Sequence, residues 1–361
     1  MDKMQDFIVK NKEIFIGLED AKRSWKIAVR CDKMLIHQTI LPMDKQNLLR
    51  YIRNKYPGCT VHLLYETGFH GFWLHDFLRG AGILCDLVPA HTVTEEKTNR
   101  VKTDRRDARR LAQNLENRDY RRCHVPDQER REDRQISRTL EDVQINVVRT
   151  RNQIWKMLDF HGIAVPQEHK VPTKADLRDL RSLEVPEMVR EALRTYLDQL
   201  EFLWKEQLRL RTQLRLLTRK ERYRKTYDII RSAPGIGWYT AIRLVLELGE
   251  DLHGRFPSKA KIASFMGLTG GEHSTGETVH KGSLTGLGHK RSRSWLVECA
   301  WGALRKDPVL LEKFRRVYHN TGNKKKAIVA VARKLIGRIL RCVATGKPYA
   351  TGLVATGCEV E

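Results

Sequence analysis

Long apolar runs are missing from this sequence. No uninterrupted stretch approaches the twenty or so residues that would carry a helix across a bilayer, so a helical membrane protein is excluded. Cysteine is sparse: Cys31, Cys59, Cys85, Cys123, Cys299, Cys342 and Cys358 are scattered, with no Cys-x-x-Cys pair, which argues against a zinc site or a disulfide framework. The opening Met1-Asp2-Lys3-Met4-Gln5-Asp6 is charged and lacks the apolar core of an export signal, so a reducing, cytoplasmic location is expected. Acids are also in deficit, with 44 Asp and Glu against 67 Lys and Arg, leaving a net charge of +23 that is not confined to a tail. A field of that size favours a polyanion, and nucleic acid is the expected partner. What remains is a chain of 361 residues with 41% apolar content, enough for a real core and for two or three domains.

The first 125 residues read as a mixed α/β domain. Ile14 to Leu18, Trp25 to Arg30 and Met34 to Leu41 have strand content and suggest a three-strand meander. A helix over Asp44 to Lys55, a buried strand over Val61 to Tyr65, a helix from about Phe69 to Arg79 and a strand over Ile83 to Val88 follow, giving the order βββ, α, β, α, β, α. The last helix opens on Lys102-Thr103-Asp104-Arg105-Arg106-Asp107-Ala108-Arg109-Arg110. There Asp104 and Asp107 share a face and Arg105, Arg106, Arg109 and Arg110 spread around the remainder as candidate phosphate contacts.

Acids thus fall at three places: Glu19 or Asp20 after the first strand, Glu66 after the fourth, and Asp104 with Asp107 on the helix. Strand ends beside a glycine are where α/β folds carry chemistry. Carboxylates brought together repel one another unless cations neutralise them. Hard divalent ions, Mg²⁺ or Mn²⁺, suit such oxygen ligands, and a pair of them can stabilise both the attacking and the leaving oxygen of a phosphodiester.

From Pro126 to about residue 225 the sequence reads as a helical coiled-coil hairpin. Ile136, Leu140, Val143, Val147, Thr150, Ile154 and Met157 form one seam. Val189, Leu193, Tyr196, Leu200, Leu203, Gln207, Leu210, Leu214 and Leu217 form the other, with Pro166, Pro172 and Pro186 in the connection. Residues 226–347 read as a mainly helical domain. In it Pro234-Gly235-Ile236-Gly237 precedes a helix starting near Tyr239 and resembles the hairpin of helix-hairpin-helix DNA binders, whose open amides, here at Gly235 and Gly237, would hold a phosphate. Further on, Ser274 stands before a Gly- and cation-rich loop in which Lys281, Lys290, Arg291 and Arg293 could hold a phosphodiester, ahead of a helix over Ser292 to Arg305. The tail, Pro348 to Glu361, is small and polar and is expected to be ill-ordered.

Gly17-Leu18-Glu19-Asp20-Ala21-Lys22, Glu66-Thr67-Gly68, Lys102 to Ala108 and Ser274-Thr275-Gly276 together resemble the four motifs of the DEDD transposases of insertion elements. Glu19 departs from the Asp usual in the first motif, and Asp20 follows it immediately; the register through Gly17 and Lys22 favours Glu19. The resemblance implies an N-terminal RNase H or RuvC-like fold whose metal-binding acids are Glu19, Glu66, Asp104 and Asp107. It implies a C-terminal transposase domain in which Ser274, with Thr275 as the lesser candidate, is the nucleophile that forms a phosphoserine link to DNA. It further implies target and donor double-stranded DNA, a structured bridge RNA that guides by base pairing, and a dimer or tetramer, with the serine of one protomer facing the acids of another, acting at the bacterial nucleoid. Two rivals remain at this stage: a metal-dependent Holliday-junction-type endonuclease that uses water, and a non-enzymatic RNA-binding or architectural protein.

Overall fold

The computed structural model describes residues 9–21, 23–68, 71–89, 104–164, 174–275, 278–286 and 288–352. These residues form two compact units, Met1–Val125 and Pro126–Glu361. The first is a mixed α/β sheet unit and the second is mostly helical.

In the first unit, β1 (Glu13–Asp20), β2 (Ser24–Cys31) and β3 (Met34–Pro42) form an antiparallel meander, turned between β2 and β3 by Asp32 and Lys33 in the left-handed region. Next come α1 (Lys45–Lys55), β4 (Thr60–Glu66), α2 (Trp73–Gly80), β5 (Leu84–Val88) and α3 (Asp104–Asn117), in the expected order. Asp44 caps α1 by accepting from the Gln46 amide. The helix expected from Phe69 starts at Trp73, and Phe69 itself lies outside the described residues. The sheet order is β3-β2-β1-β4-β5, with β1, β4 and β5 parallel.

One face of the sheet packs Ile14, Ile16, Leu18, Leu63 and Tyr65 against Leu48 and Ile52 of α1 and Leu74 and Leu78 of α2. The other face is covered by α3: Leu111 and Leu115 meet Phe15, Leu64 and Val88, while Ala108 and Ala112 meet Ala28. The approach is close because β1 carries Gly17 there. A Cβ on Gly17 would stand 2.1 Å from the Ala108 carbonyl oxygen and 2.4 Å from the Ala112 nitrogen, so no larger residue fits without moving the helix.

The second unit is built on α4 (Gln128–Phe160), α5 (Lys174–Arg181) and α6 (Glu187–Leu217). The pairing of α4 with α6 is antiparallel: Ile154 and Leu158 share a cluster with Leu193, Leu197 and Leu200, whereas Leu140 shares one with Leu210, Leu214 and Leu217. The seams bury Leu140, Thr150, Ile154, Val189, Leu193, Leu200, Leu203, Leu210, Leu214 and Leu217 as read in the sequence, and step by one residue near the closed end, where Leu158 and Leu197 are fully buried and Met157 and Tyr196 only partly so. The cause is α5, which inserts Leu177 and Leu180 as a third side of that end.

Then follow α7 (Glu221–Ser232), α8 (Trp238–Leu248), α9 (Leu252–Arg255), α10 (Lys259–Phe265), β6 (Gly270–Thr275), β7 (Thr278–Leu284), α11 (Lys290–Ala303), α12 (Pro308–Thr321) and α13 (Lys324–Thr345). Where the sequence divides at about residue 225, the core is continuous: the base of the α4–α6 hairpin shares one apolar cluster with α7, α8, α10, α11 and α13. The expectation of an ill-ordered tail from Pro348 to Glu361 is corrected at its start by Tyr349, residues 353–361 lying outside the described ones. The Tyr349 side chain is buried, its hydroxyl donates to Asp307 Oδ2 at 2.6 Å, and its amide donates to Ser232 Oγ at 2.8 Å.

Gly17→Ala is expected to lower the stability of the first unit by on the order of 3 kcal/mol. The measurement is the urea midpoint, with Gly80→Ala as control, since an added Cβ at Gly80 meets nothing within 4 Å. Equal midpoints for the two variants would show that the β1–α3 contact is not limiting.

Candidate functional site

The acids of the first unit lie at one end of the sheet. In the parallel register Gly17 pairs with Leu64 and Leu18 with Tyr65, so the next pair is Glu19 and Glu66. Side chains alternate along a strand, which puts Glu19 on the face of Gly17 and Glu66 on the face of Leu64, the face that α3 covers. Asp20 points to the opposite face, where it accepts from the Trp25 indole nitrogen at 2.8 Å. Asp107, in the first turns of α3, is 7% exposed and immediately precedes Ala108, which meets Gly17. Arg110 Nη2 donates to Asp107 Oδ1 at 3.0 Å, and Lys26 stands opposite Glu19 on β2. Asp104 is the first residue of α3; its side chain lies outside the described residues, as do Lys102 and Thr103.

Among the described residues no three His, Cys, Asp or Glu side chains stand close enough to hold a metal ion. The donors at this end are nevertheless all carboxylate oxygens, the chemistry that a hard divalent cation takes. Of the four α3 arginines, Arg109 donates to the Gln38 side chain and Arg110 is held by Asp107. Arg105 and Arg106 are exposed, and Arg105 lines a cavity of about 190 Å³ with Lys26 and Gln38.

In the second unit, Ser274 is not between a helix and a loop. It belongs to an antiparallel hairpin, with Ser274 paired to Val279 and Thr275 to Thr278; Gly276 lies outside the described residues, as do the side chains of Ser274, Thr275 and Lys281. Lys281 is in β7, so the connection from hairpin to α11 is short. It is anchored where the Thr285 amide donates to the Thr269 carbonyl and the His289 amide to that of Phe265. Lys290 is exposed, whereas Arg291 is ion-paired with Glu141 at 3.2 Å and Arg293 donates to the Gly267 carbonyl at 3.2 Å. Gly235 has φ +79°, and its missing side chain admits α11, since a Cβ would stand 2.2 Å from the Cys299 carbonyl oxygen. Gly237 caps α8 and faces open space, beside a cavity of about 500 Å³ lined also by Arg231 and Lys306.

Comparison with known proteins follows the same division. A DEDD transposase family model, described as "Transposase", matches residues 17–163, and one described as "Transposase IS116/IS110/IS902 family" matches residues 227–315. The chain thus matches the DEDD transposases of insertion elements in both of its parts. Among its relatives is the protein y4rJ of Sinorhizobium fredii, named as a transposase, which is 28% identical over 92% of each chain. The transposase for insertion sequence element IS1533 of Leptospira borgpetersenii is 22% identical over 66% of this chain and 70% of its own length. The pilin gene-inverting protein of Moraxella bovis is 28% identical over 34% of this chain and 38% of its own. The chain is therefore an enzyme, a transposase, whose partner is DNA and whose first domain is of a kind that depends on a divalent metal. No helix among the described residues is long and apolar enough to cross a membrane.

The sequence reading missed the charged centre behind the transposase's serine hairpin. Glu247 of α8 is 2% exposed and accepts from Arg138 Nε at 3.1 Å and Nη2 at 3.2 Å, while His289 Nε2 stands 3.4 Å away. The Ser292 amide donates to His289 Nδ1 at 3.2 Å, so that nitrogen is the acceptor and the ring hydrogen faces Glu247. Ser292, His289 and Glu247 form a chain with the look of a catalytic triad, but Ser292 is fully buried in the first turn of α11, which His289 caps; the chain positions the segment that follows the hairpin. No spacing in the sequence links residues 138, 247 and 289, which meet only through the fold.

Burial pushes the Glu247 carboxyl up, but hydrogen bonds from His289 and Arg138 outweigh it and bring it down to about 2. A depressed folded value stabilises above the ordinary carboxylate range, and that stability is lost as pH falls from about 4.5 towards about 2. Glu247 therefore contributes on the order of 3 kcal/mol at neutral pH. Glu247→Gln is expected to flatten that stretch of the acid-unfolding curve; the check is the urea midpoint at about pH 6 and about pH 3, where the difference between parent and variant should shrink to about half at the lower value.

Proposed function

We propose that this transposase is an RNA-guided DNA recombinase that cuts and rejoins target and donor DNA through a phosphoserine intermediate. Supporting this reading is the strand register that makes Glu19 and Glu66 neighbours on the face covered by α3, with Asp107 buried on that helix. Glu19 is then the first acid and Asp20, engaged by Trp25, is a structural one. Glu19, Glu66, Asp104 and Asp107 would hold the divalent ion, with Mg²⁺ preferred over Mn²⁺. When bound, such an ion stabilises charge on phosphodiester oxygens.

The serine step balances as follows. Ser274 Oγ attacks phosphorus and loses its proton, the bond from phosphorus to one deoxyribose oxygen breaks, and that oxygen leaves as a hydroxyl after taking a proton. A hydroxyl of the exchanging strand then attacks the phosphoserine, and Ser274 is released. Gly237, an open helix start beside Arg231 and Lys306, suits a backbone phosphate in the manner of helix-hairpin-helix binders. Exposed Arg105, Arg106 and Lys290 suit phosphates as well. The first unit takes the RNase H or RuvC-like form in this reading, the RNA pairs with both DNAs while the protein reads shape and backbone, and the active assembly is a dimer or tetramer.

The test incubates the purified transposase with Mg²⁺, RNA transcribed from its element's flanks, and labelled target and donor DNA, and resolves the products on a denaturing gel. A protein–DNA adduct is expected, absent in Ser274→Ala and retained in Thr275→Ala. Glu19→Gln is expected to slow adduct formation at least about 100-fold, and Asp20→Asn to slow it far less. Free cut ends that form equally well in Ser274→Ala would replace this reading with a water-using junction endonuclease.

A further inference from the structure

Positive charge is concentrated near the end of the second unit beyond what the transposase reading uses. Residues 305–347 carry thirteen Lys or Arg and two acids, Asp307 and Glu312. Asp307 is 1% exposed and is spent inside, on Arg338 at 2.8 Å, Tyr349 and the start of α12. Helix α13 holds seven cations and no acid, and Lys324, Lys325 and Lys326 fill its exposed first turn, where the helix dipole disfavours positive charge. Across the two helices Lys313 and Arg316 stand near Arg333 and Lys334. Burial and these neighbouring cations hold both lysines below their ordinary range. An ordinary solvated surface intersperses the two signs; here one sign is packed against itself.

Beside these cations lies a row of aromatic rings. Trp301 of α11 is 39% exposed and meets Phe314 of α12 at 5.6 Å between centroids; Phe314 stacks on Tyr318 at 6.0 Å and 19°, and Tyr318 is again 39% exposed. Phe314 is anchored on the apolar core, which fixes the row, while the two outer rings keep open area. Arg315 is exposed next to Phe314 in the chain. Cations that repel one another gain from a phosphate chain, and exposed rings at helical spacing offer stacking faces that a paired duplex, with its bases already stacked, cannot use.

We propose that the α12–α13 hairpin, with Trp301, Phe314 and Tyr318, is a binding surface for an unpaired nucleic-acid strand, its bases on the rings and its phosphates on Lys313, Arg315, Arg316 and Lys324 to Lys326. The assignment rests on the transposase handling nucleic acid and is independent of the serine chemistry. RNA and DNA offer the same π faces and phosphates, so either strand fits the surface.

Equilibrium binding of the full chain to labelled oligo-dT, oligo-U and a DNA duplex, without Mg²⁺ so that no cleavage intrudes, tests this. Tyr318→Ala is expected to weaken binding of one or both single strands about tenfold and duplex binding less than about twofold; Tyr318→Phe is expected to restore it. Replacing Lys324, Lys325 and Lys326 together by Gln is expected to reduce the salt-dependence slope of single-strand binding by about 2. The two single-strand arms identify RNA or DNA as the ligand. Binding is read without Mg²⁺ and without any cleavage, so a failed adduct experiment leaves this result standing. Unchanged affinity in Tyr318→Ala with an unchanged melting temperature, or equal losses for strand and duplex, overturns the proposal.

Discussion

Direct backbone contact between β1 and α3 is the constraint on which the acidic end of the first unit depends. Without a side chain at Gly17, the helix settles onto the strand with Ala108 and Ala112 beneath it. That sets the height and rotation of α3, and hence where Asp107 sits relative to the face shared by Glu19 and Glu66. The two strand acids are fixed by hydrogen-bonded register, the helical acids by packing. A methyl group at residue 17 would leave every acid present in the sequence and displace half of them.

The second unit solves a different problem, that of folding a chain with far more cations than acids. Many of its scarce carboxylates are spent on ion pairs between helices, Glu247 and Asp133 among them buried. Glu247 gathers Arg134, Arg138 and His289; Asp133 takes Lys220 and the Tyr223 hydroxyl; Asp127, Glu129 and Glu250 share Arg222. These contacts join the start of α4 to α7 and α8, across sequence separations of about a hundred residues. With these acids already paired to basic side chains, the net positive charge of the sequence is carried by the remaining Lys and Arg, the kind of field that attracts a phosphate backbone. Arg243, held between the rings of Trp295 and Tyr239, shows how a buried guanidinium is accommodated where acids are few.

Much of the first unit was legible because its strands are short apolar runs ending at acids, a pattern set by burial on both faces. The sequence register favoured Glu19 over Asp20 without placing either; alternation along β1 puts them on opposite faces, with Trp25 on the Asp20 side of the sheet. The serine hairpin escaped notice because Gly270 to Leu284 is rich in Gly, His and Lys where strand signals rest on branched and aromatic residues. The coiled-coil seam was legible along most of its length and steps from Met157 and Tyr196 to Leu158 and Leu197 only where α5, which the pattern of α4 and α6 cannot reveal, packs into the same groove. Arg291 read as a phosphate ligand from its basic surroundings, yet its partners are Glu141 and Asp142, about 150 residues earlier in the chain. Tyr349 stood in a stretch of small polar residues, and its partners Asp307, Ser232 and Arg338, all outside that stretch, give it a reason to be ordered.

Helix α11 touches both of the features of the second unit that suit a phosphate backbone. Near its end the Cys299 carbonyl and the Ala303 amide press against Gly235, just ahead of the open start of α8; at its beginning His289 closes the segment that leaves the β6–β7 hairpin. Fourteen helical residues make a rod about 21 Å long. Set against the rise of B-DNA, that length corresponds to about six base pairs. On the proposed reading this length is a spacing: a duplex held at the Gly237 end would meet the serine hairpin about half a turn farther along, and lengthening α11 by one turn would move the point of contact by one to two base pairs.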